Sequence, residues 1–321
     1  MASIASQQTR AIVADPALAH RFEIRRVDLA PPQAHETIVA VKAFSLNAGE
    51  VRNAMASPSL ARPGWDLAGV VERAAADGSG PAEGTRVAGL CWPAGAWAQR
   101  VALPSHAVAA IPEGVSFAAA AALPVAGLTA LYGLSKAGLL LGRRVLVTGA
   151  SGGVGRFVCR LALLSGARVT ALLRNADSDA ALRADGVDDI VIGDAAELRR
   201  RAARYALVFD PLGGELLGQA MTLLDKGGMC VVCGNASAQG TTFDARSFYH
   251  QGRVALLGFY LGFELELRPA SEGLDLLLGL ARDGRLQPPI EVEAPWSEIA
   301  AVAARFKRRE IRAKAVLHVE D

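Results

Sequence analysis

Charge is sparse in this 321-residue chain, and its two signs nearly cancel. Only 21% of residues are Asp, Glu, Lys or Arg, and 34 basic against 32 acidic side chains leave a net charge of +2. Scattered charges of this kind argue against a nucleic-acid partner. The tight basic cluster Arg305-Phe306-Lys307-Arg308-Arg309 is followed by Glu310 and reads as a solvated helix end. Cysteine is also scarce: four widely spread residues suit a reducing compartment and do not supply a disulfide framework. The five histidines form no close pair, and no set of three metal ligands stands out, so the expectation is no metal and activity that survives chelation. Met1 to Arg10 lack the basic-then-apolar layout of a secretory leader, which places the expected protein in the cytoplasm. The long uncharged run, Ser116 to Ser135, is mostly Ala and Gly, carries Pro124 near its middle and has no aromatic belt. It therefore reads as a closely packed helix pair or a broken helix at a domain junction, with no membrane partner. No internal repeat or low-complexity linker appears.

Apolar residues make up 51% of the chain, ample for two sizeable cores. The run Arg144-Val145-Leu146-Val147-Thr148 feeds Gly149-Ala150-Ser151-Gly152-Gly153-Val154-Gly155, and Val154, Phe157, Val158, Leu161 and Leu164 then repeat at helical spacing. A buried strand, a glycine turn and a helix in that order make a cradle for a dinucleotide pyrophosphate: backbone approaches the anion closely and the helix start offers unpaired N–H groups. The pattern is G-x-x-G-G-x-G rather than strict G-x-G-x-x-G, which leaves a tight turn without a ligand as the alternative. Strand-like segments continue at 168–174, 189–192, 206–210, 229–234 and 254–261, with helical stretches near 178–184, 195–203 and 214–225. This βαβ rhythm predicts an α/β domain with a doubly wound parallel sheet. The second strand ends in Arg174-Asn175, where an NAD-selective site carries Asp or Glu. A guanidinium there can hold a 2′-phosphate, which favours NADPH; the alternatives are a solvated arginine, or a register change that brings Asp177 to the ribose.

Before residue 116 the pattern changes. Strand-like pieces at 37–46, 67–73, 86–90 and 97–103, separated by turns such as Asp77-Gly78-Ser79-Gly80, predict an irregular β domain. After Leu261, a helix near 271–282, a strand at 290–292, a helix from 296 to 307 and a strand at 313–319 leave the βαβ rhythm and are expected to return to that first domain.

Several motifs together resemble the medium-chain dehydrogenase/reductase superfamily, and within it the zinc-free quinone-oxidoreductase and enoyl-reductase branch. They are Phe44-Ser45-Leu46-Asn47, the run Pro63-Gly64-Trp65-Asp66-Leu67-Ala68-Gly69-Val70-Val71, Gly84-Thr85-Arg86-Val87, Gly95-Ala96-Trp97-Ala98, Ala121 to Ala130, the Ala150 to Gly155 turn, and Lys314-Ala315-Val316-Leu317. The resemblance implies a GroES-like barrel catalytic domain at 1–122 and 265–321 with a Rossmann domain inserted at 123–264. It further implies that Asn47 and Thr129 line the nicotinamide, that Ser151, Gly152, Gly153 and Val154 bind the pyrophosphate, and that turns carrying Gly234 and Asn235, and Phe259 and Leu261, flank the cofactor. Arg174 and Asn175 complete the expected NADPH site.

The departures direct the chemistry. Where zinc-dependent relatives carry a ligand cysteine and Gly-His-Glu, this chain has Asn47-Ala48-Gly49-Glu50 and Gly64-Trp65-Asp66. Cys230 and Cys233 are three apart in a strand, which points them to opposite faces and leaves buried thiols as the expectation. Without zinc to polarise an alcohol, the expected reaction is hydride transfer from NADPH to a quinone or to an enone or enal. An enoyl thioester is the related alternative acceptor. Arg52 can stabilise an oxyanion but is a poor proton donor, which leaves the proton to solvent; the alternative for Arg52 is a surface or cofactor-phosphate residue. Two rival classes remain: a non-catalytic NADPH-binding protein, and a serine hydrolase using Ser151 in G-x-S-x-G with Asp210 and His250. The apolar terminal segment from Val254 would be an open sheet edge, which predicts a homodimer.

Overall fold

The computed structural model describes residues 7–320, and divides the chain into two compact units: one from the segments up to Leu128 and from Gly262 onward, the other Thr129–Leu261. Residues 1–6, on which most of the leader reading rests, and residue 321 lie outside the described part.

In chain order the first segment supplies β1 (Gln7–Ala14), β2 (Phe22–Leu29), β3 (Glu36–Leu46), β4 (Asp66–Arg73), β5 (Arg86–Leu90), β6 (Arg100–Pro104) and β7 (Val108–Ala110). The middle of the chain supplies β8 (Arg144–Val147), β9 (Arg168–Leu173), β10 (Asp189–Ile192), β11 (Tyr205–Asp210), β12 (Leu224–Val232) and β13 (Ala255–Gly258). The closing segment adds β14 (Ile290–Pro295) and β15 (Lys314–His318).

The middle unit is a six-stranded parallel sheet in the order β10-β9-β8-β11-β12-β13. Each crossover carries a helix, so both faces are covered and the central strands must be apolar throughout; Val145, Leu146 and Val147 of β8 are fully buried. The helix Gly153–Leu164 packs Phe157, Val158 and Leu161 inward, each worth roughly 1.5–3 kcal/mol of transfer free energy, while Arg156 forms an ion pair with Asp185. It ends at Ser165, and Gly166 follows with a positive φ of 78°. Strand order reverses between β8 and β11, and that break in the crossovers is where such sheets bind ligands at the carboxyl ends of their strands.

The other unit is mainly antiparallel. Its seven-stranded sheet runs β14-β15-β3-β4-β5-β7, with β6 also paired to β3. The long strand β3 is shared: residues 36–40 pair with β6, residues 43–46 with β15, and β4 runs along its other side through irregularities near Val41. Trp97 fills the centre, stacked on Phe44 at 5.6 Å and edge-on to Phe22 at 6.0 Å. The turn before β4 fits closely around it: Gly64 has φ +112°, and a Cβ there would lie 2.4 Å from the Trp97 nitrogen.

Several elements differ from the sequence expectation. The hairpin of β1 and β2 and the helix Ala48–Ala56 have no counterpart in it. The strand expected from Trp97 begins at Arg100, because Ala98 makes an isolated bridge to Ala11 instead of joining the ladder. The segment expected to be strand through Leu261 ends at Gly258, and Leu261 opens a helix, Leu261–Leu267. The helices expected to reach 203 and 225 stop at Arg199 and Met221, while β12 starts at Leu224 and skips register between its pairings of Tyr205 and Leu207. The run 116–135 forms two helices, Phe117–Ala121 and Pro124–Ser135. Among the described residues no helix is long and apolar enough to cross a membrane.

Candidate functional site

The glycine turn opens at the carboxyl end of β8. Gly149 takes φ +58°, and Gly155 lies so close to it that a Cβ at 155 would sit 2.3 Å from the Gly149 carbonyl oxygen. Gly152 is the N-cap of the helix Gly153–Leu164 and supplies no side-chain cap, so the first-turn N–H groups are left without a side-chain acceptor. Thr148 and Asp210 tie the two strands that flank the strand-order break: Thr148 Oγ1 donates to Asp210 Oδ2 at 2.5 Å. Asp210 Oδ1 accepts the N–H groups of Leu212 and Gly213 at 3.0 and 2.6 Å. Burial raises the Asp210 carboxyl above its ordinary range, opposed by these hydrogen bonds. The cradle residues Ser151, Gly152, Gly153 and Val154 are half-buried. Arg174 and Asn175 follow β9, Gly234 and Asn235 follow β12, and all four are exposed. Phe259 and Leu261, after β13, are buried on either side of exposed Tyr260. All of these residues lie beyond the carboxyl ends of their strands, as a dinucleotide site of this sheet type requires. Thr129 is buried on the helix Pro124–Ser135.

The other unit holds a buried polar cluster built by strand register. Ser45 pairs with Asp66 across β3 and β4, and Leu46 with Ala315 across β3 and β15, which brings Asn47, Asp66 and Lys314 side by side. Lys314 Nζ donates to Asn47 Oδ1 at 2.7 Å and to Asp66 Oδ2 at 3.0 Å, in an ion pair whose side chains are 1% and 0% exposed. Asn47 Nδ2 donates to Asp66 Oδ2 at 2.8 Å and to Glu50 Oε1 at 3.0 Å. Ser45 Oγ and the Val125 N–H complete the Asp66 shell at 2.7 and 2.8 Å. Asn47 is the N-cap residue of the helix Ala48–Ala56 and makes no side-chain cap hydrogen bond there; Glu50 Oε1 reaches back to accept the Asn47 N–H at 2.7 Å. Glu50 Oε2 is buried without a partner, and burial, followed by the charge of Asp66, pushes the Glu50 carboxyl up to about 8. Arg52, on the same helix, is exposed and lies outside this cluster.

Residues 153–275 match the family model described as zinc-binding dehydrogenase. The chain is 37% identical over 273 residues to the spectinabilin polyketide synthase system protein NorB of Streptomyces orinoci, covering 81% of this chain and 12% of that protein. It is 30% identical over 251 residues to the 2-methylene-furan-3-one reductase of Solanum lycopersicum, covering 75% of this chain and 58% of that one. The chain resembles the medium-chain dehydrogenase/reductase superfamily. It spans less than two thirds of the length of either relative. The superfamily fold is matched by the quinone oxidoreductase from Coxiella burnetii, with a TM-score of 0.84, 23% identity, and coverage of 98% of this chain and 100% of that one.

The matching family model is one of zinc-binding dehydrogenases, but a zinc ion does not fit the residues present. Among the described residues no group of three or more His, Cys, Asp or Glu converges on a metal position, and the buried carboxylate of Asp66 is already engaged by an ammonium group. The four cysteines are unpaired; burial raises Cys91 and Cys159 to about 12 and raises Cys230 and Cys233 as well. The hydrolase reading fails on geometry. Ser151 follows the carboxyl end of β8, whereas His250 lines a basic depression with Arg204, Leu224 and Asp225 at the amino ends of β11 and β12. Asp210 is committed to Thr148 and its own turn. Glu50, Asp66 and Lys314 have no role in the sequence expectation, although a signal is present: Asn47-x-x-Glu50 has capping-box spacing, and Asp66 and Lys314 each open a strand whose next residues are apolar.

Proposed function

We propose that the chain is a zinc-independent, NADPH-dependent reductase acting on a quinone or on the activated C=C of an enone or enal. The observation that carries this reading is the uncapped glycine turn at the strand-order break of the parallel sheet, where a Cβ at 155 has no room and the first-turn N–H groups have no side-chain acceptor. Ser151, Gly152, Gly153 and Val154 would hold the pyrophosphate there. Exposed Arg174, which forms no ion pair among the described residues, would take the 2′-phosphate, with Asn175 beside it; Gly234, Asn235, Phe259 and Leu261 would flank the cofactor. The bound cofactor supplies hydride from its reduced nicotinamide. Asn47 and Thr129 are assigned to the nicotinamide, Arg52 to the oxyanion that develops on the acceptor, and solvent to the proton.

In this reading residues 123–264 form the nucleotide-binding domain, and 1–122 with 265–321 form the catalytic domain. Four unpaired cysteines support a reducing, cytoplasmic setting, and the half-exposed edge strand β13 supports a homodimer. A second acceptor class, an enoyl thioester, is favoured by the relative named as a polyketide synthase protein. The test is NADPH oxidation followed at 340 nm against quinones, enals, enones and enoyl thioesters. Turnover with one of these classes is expected. Tight NADPH binding without oxidation across the whole panel would replace the reading with a non-catalytic binding protein.

A further inference from the structure

An asparagine amide can present either its oxygen or its nitrogen to a ligand, and the surroundings of Asn47 allow one arrangement. Both amide hydrogens are committed, one to Asp66 Oδ2 at 2.8 Å and one to Glu50 Oε1 at 3.0 Å. The oxygen faces the Lys314 ammonium at 2.7 Å. Rotating the amide by half a turn would set NH2 against NH3+ and C=O against two carboxyl groups, so donors would meet donors and acceptors would meet acceptors. What remains for a ligand is the second lone pair of Asn47 Oδ1. Lys314 is the group that holds this arrangement: it is 1% exposed, anchored on Asp66, and reaches Asn47 from the far end of the chain through the β15–β3 pairing.

We propose that Lys314 is a positioning residue that fixes Asn47 as an acceptor toward a hydrogen-bond donor on the nicotinamide half of the cofactor. The inference rests on the reading that Asn47 meets the nicotinamide. Asp66 acts with Lys314 as its counter-charge, and its Oδ2 also receives Ser45 Oγ, so the ammonium cannot turn away from Asn47 without leaving a buried carboxylate short of a donor.

The test uses two probes: NADPH, and adenosine 2′,5′-bisphosphate, which has the adenosine and 2′-phosphate of the cofactor but no nicotinamide. Wild type, Asn47→Ala and the double variant Lys314→Met with Asp66→Asn are titrated with each by calorimetry. The double variant removes both charges together, which avoids the unpaired buried carboxylate that Lys314→Met alone would leave. Both variants are expected to weaken NADPH by about tenfold, the loss of one hydrogen bond, and to leave adenosine 2′,5′-bisphosphate within about twofold of wild type. If Asn47→Ala weakens NADPH while the double variant binds it as wild type does, the positioning role of Lys314 is overturned and the reading of Asn47 stands. NADPH affinity unchanged in Asn47→Ala overturns that reading and the inference with it. Equal weakening of the two probes in the double variant overturns the inference in favour of a purely structural role, and a wild type that binds neither probe overturns the cofactor assignment itself.

Discussion

Replacing Glu50 with glutamine should make the protein more stable in alkali, although it alters a buried and hydrogen-bonded side chain. Glu50 is 3% exposed, one of its oxygens has no partner, and burial together with the Asp66 charge holds its carboxyl at about 8 against an ordinary 4.5. Between those two pH values the folded chain binds more protons than the unfolded chain, so wild-type stability falls as pH rises across that window and levels off above it. The interval from 4.5 to about 8, at about 1.36 kcal/mol per pH unit, corresponds to an upper limit of roughly 5 kcal/mol. Glutamine is neutral throughout. Its oxygen can still accept the Asn47 N–H and Nδ2 bonds, which Glu50 receives at 2.7 and 3.0 Å, and it adds no charge beside Asp66. The variant should therefore melt near wild type at pH 5 and above it at pH 9, by at most roughly 10–20 °C if each kcal/mol moves the midpoint by about 2–4 °C. Thermal melts of both proteins at pH 5, 7 and 9, followed by tryptophan fluorescence, provide the measurement. Parallel pH curves for the two proteins, or a variant that loses as much stability at pH 9 as at pH 5, would refute the reasoning.

Two further outcomes are expected from the other unit. Arg174→Ala should weaken NADPH by roughly ten- to a hundredfold, the worth of a charge-assisted contact of about 1.5–3 kcal/mol, and leave NADH nearly unchanged; parallel titrations check this, and equal weakening of both would sink the assignment of Arg174 to the 2′-phosphate. The protein should scatter light as a dimer at micromolar concentration, and Leu256→Lys on the half-exposed edge strand β13 should shift it toward monomer. A wild type that is monomeric at that concentration would count against pairing there.

The parallel sheet was legible because its strands are buried on both faces and read as short apolar runs, such as 145–147, bounded by glycine turns and followed by helical spacing. The hairpin of β1 and β2 was not. Its strands carry residues of mixed exposure, and the chain enters β2 through Arg21 at φ 66°, a position where no glycine marks the turn. The strand β12 is expected to start five residues late, at 229, because Asp225-Lys226-Gly227-Gly228 interrupts its apolar pattern, and in the structure that segment is where register with β11 is broken. The cradle could be read locally, since the turn and its helix are contiguous. The cluster around Asn47 could not, because its members come from three strands and a helix, and only the sheet order brings residues 47, 66 and 314 together. A lysine within Ala313-Lys314-Ala315-Val316-Leu317 was the visible anomaly, but its partner is 248 positions away and no local pattern names it.

That separation has a consequence for how the protein is made. A ribosome working at about 5–20 residues per second delivers Asp66 roughly 12–50 s before Lys314. The parallel unit, contiguous from Thr129 to Leu261, is complete in the meantime and free to close, whereas the antiparallel unit waits for its last strand. Until then Asp66 has no ammonium to face, and burying it would strand a charge. Before that point Ser45, Asn47 and the Val125 N–H are the donors available to the Asp66 carboxylate, and its counter-charge is still missing. Arrival of β15 beside β3 brings the Lys314 ammonium to the Asp66 carboxylate, so the docking of that strand and formation of the Asn47 cluster coincide.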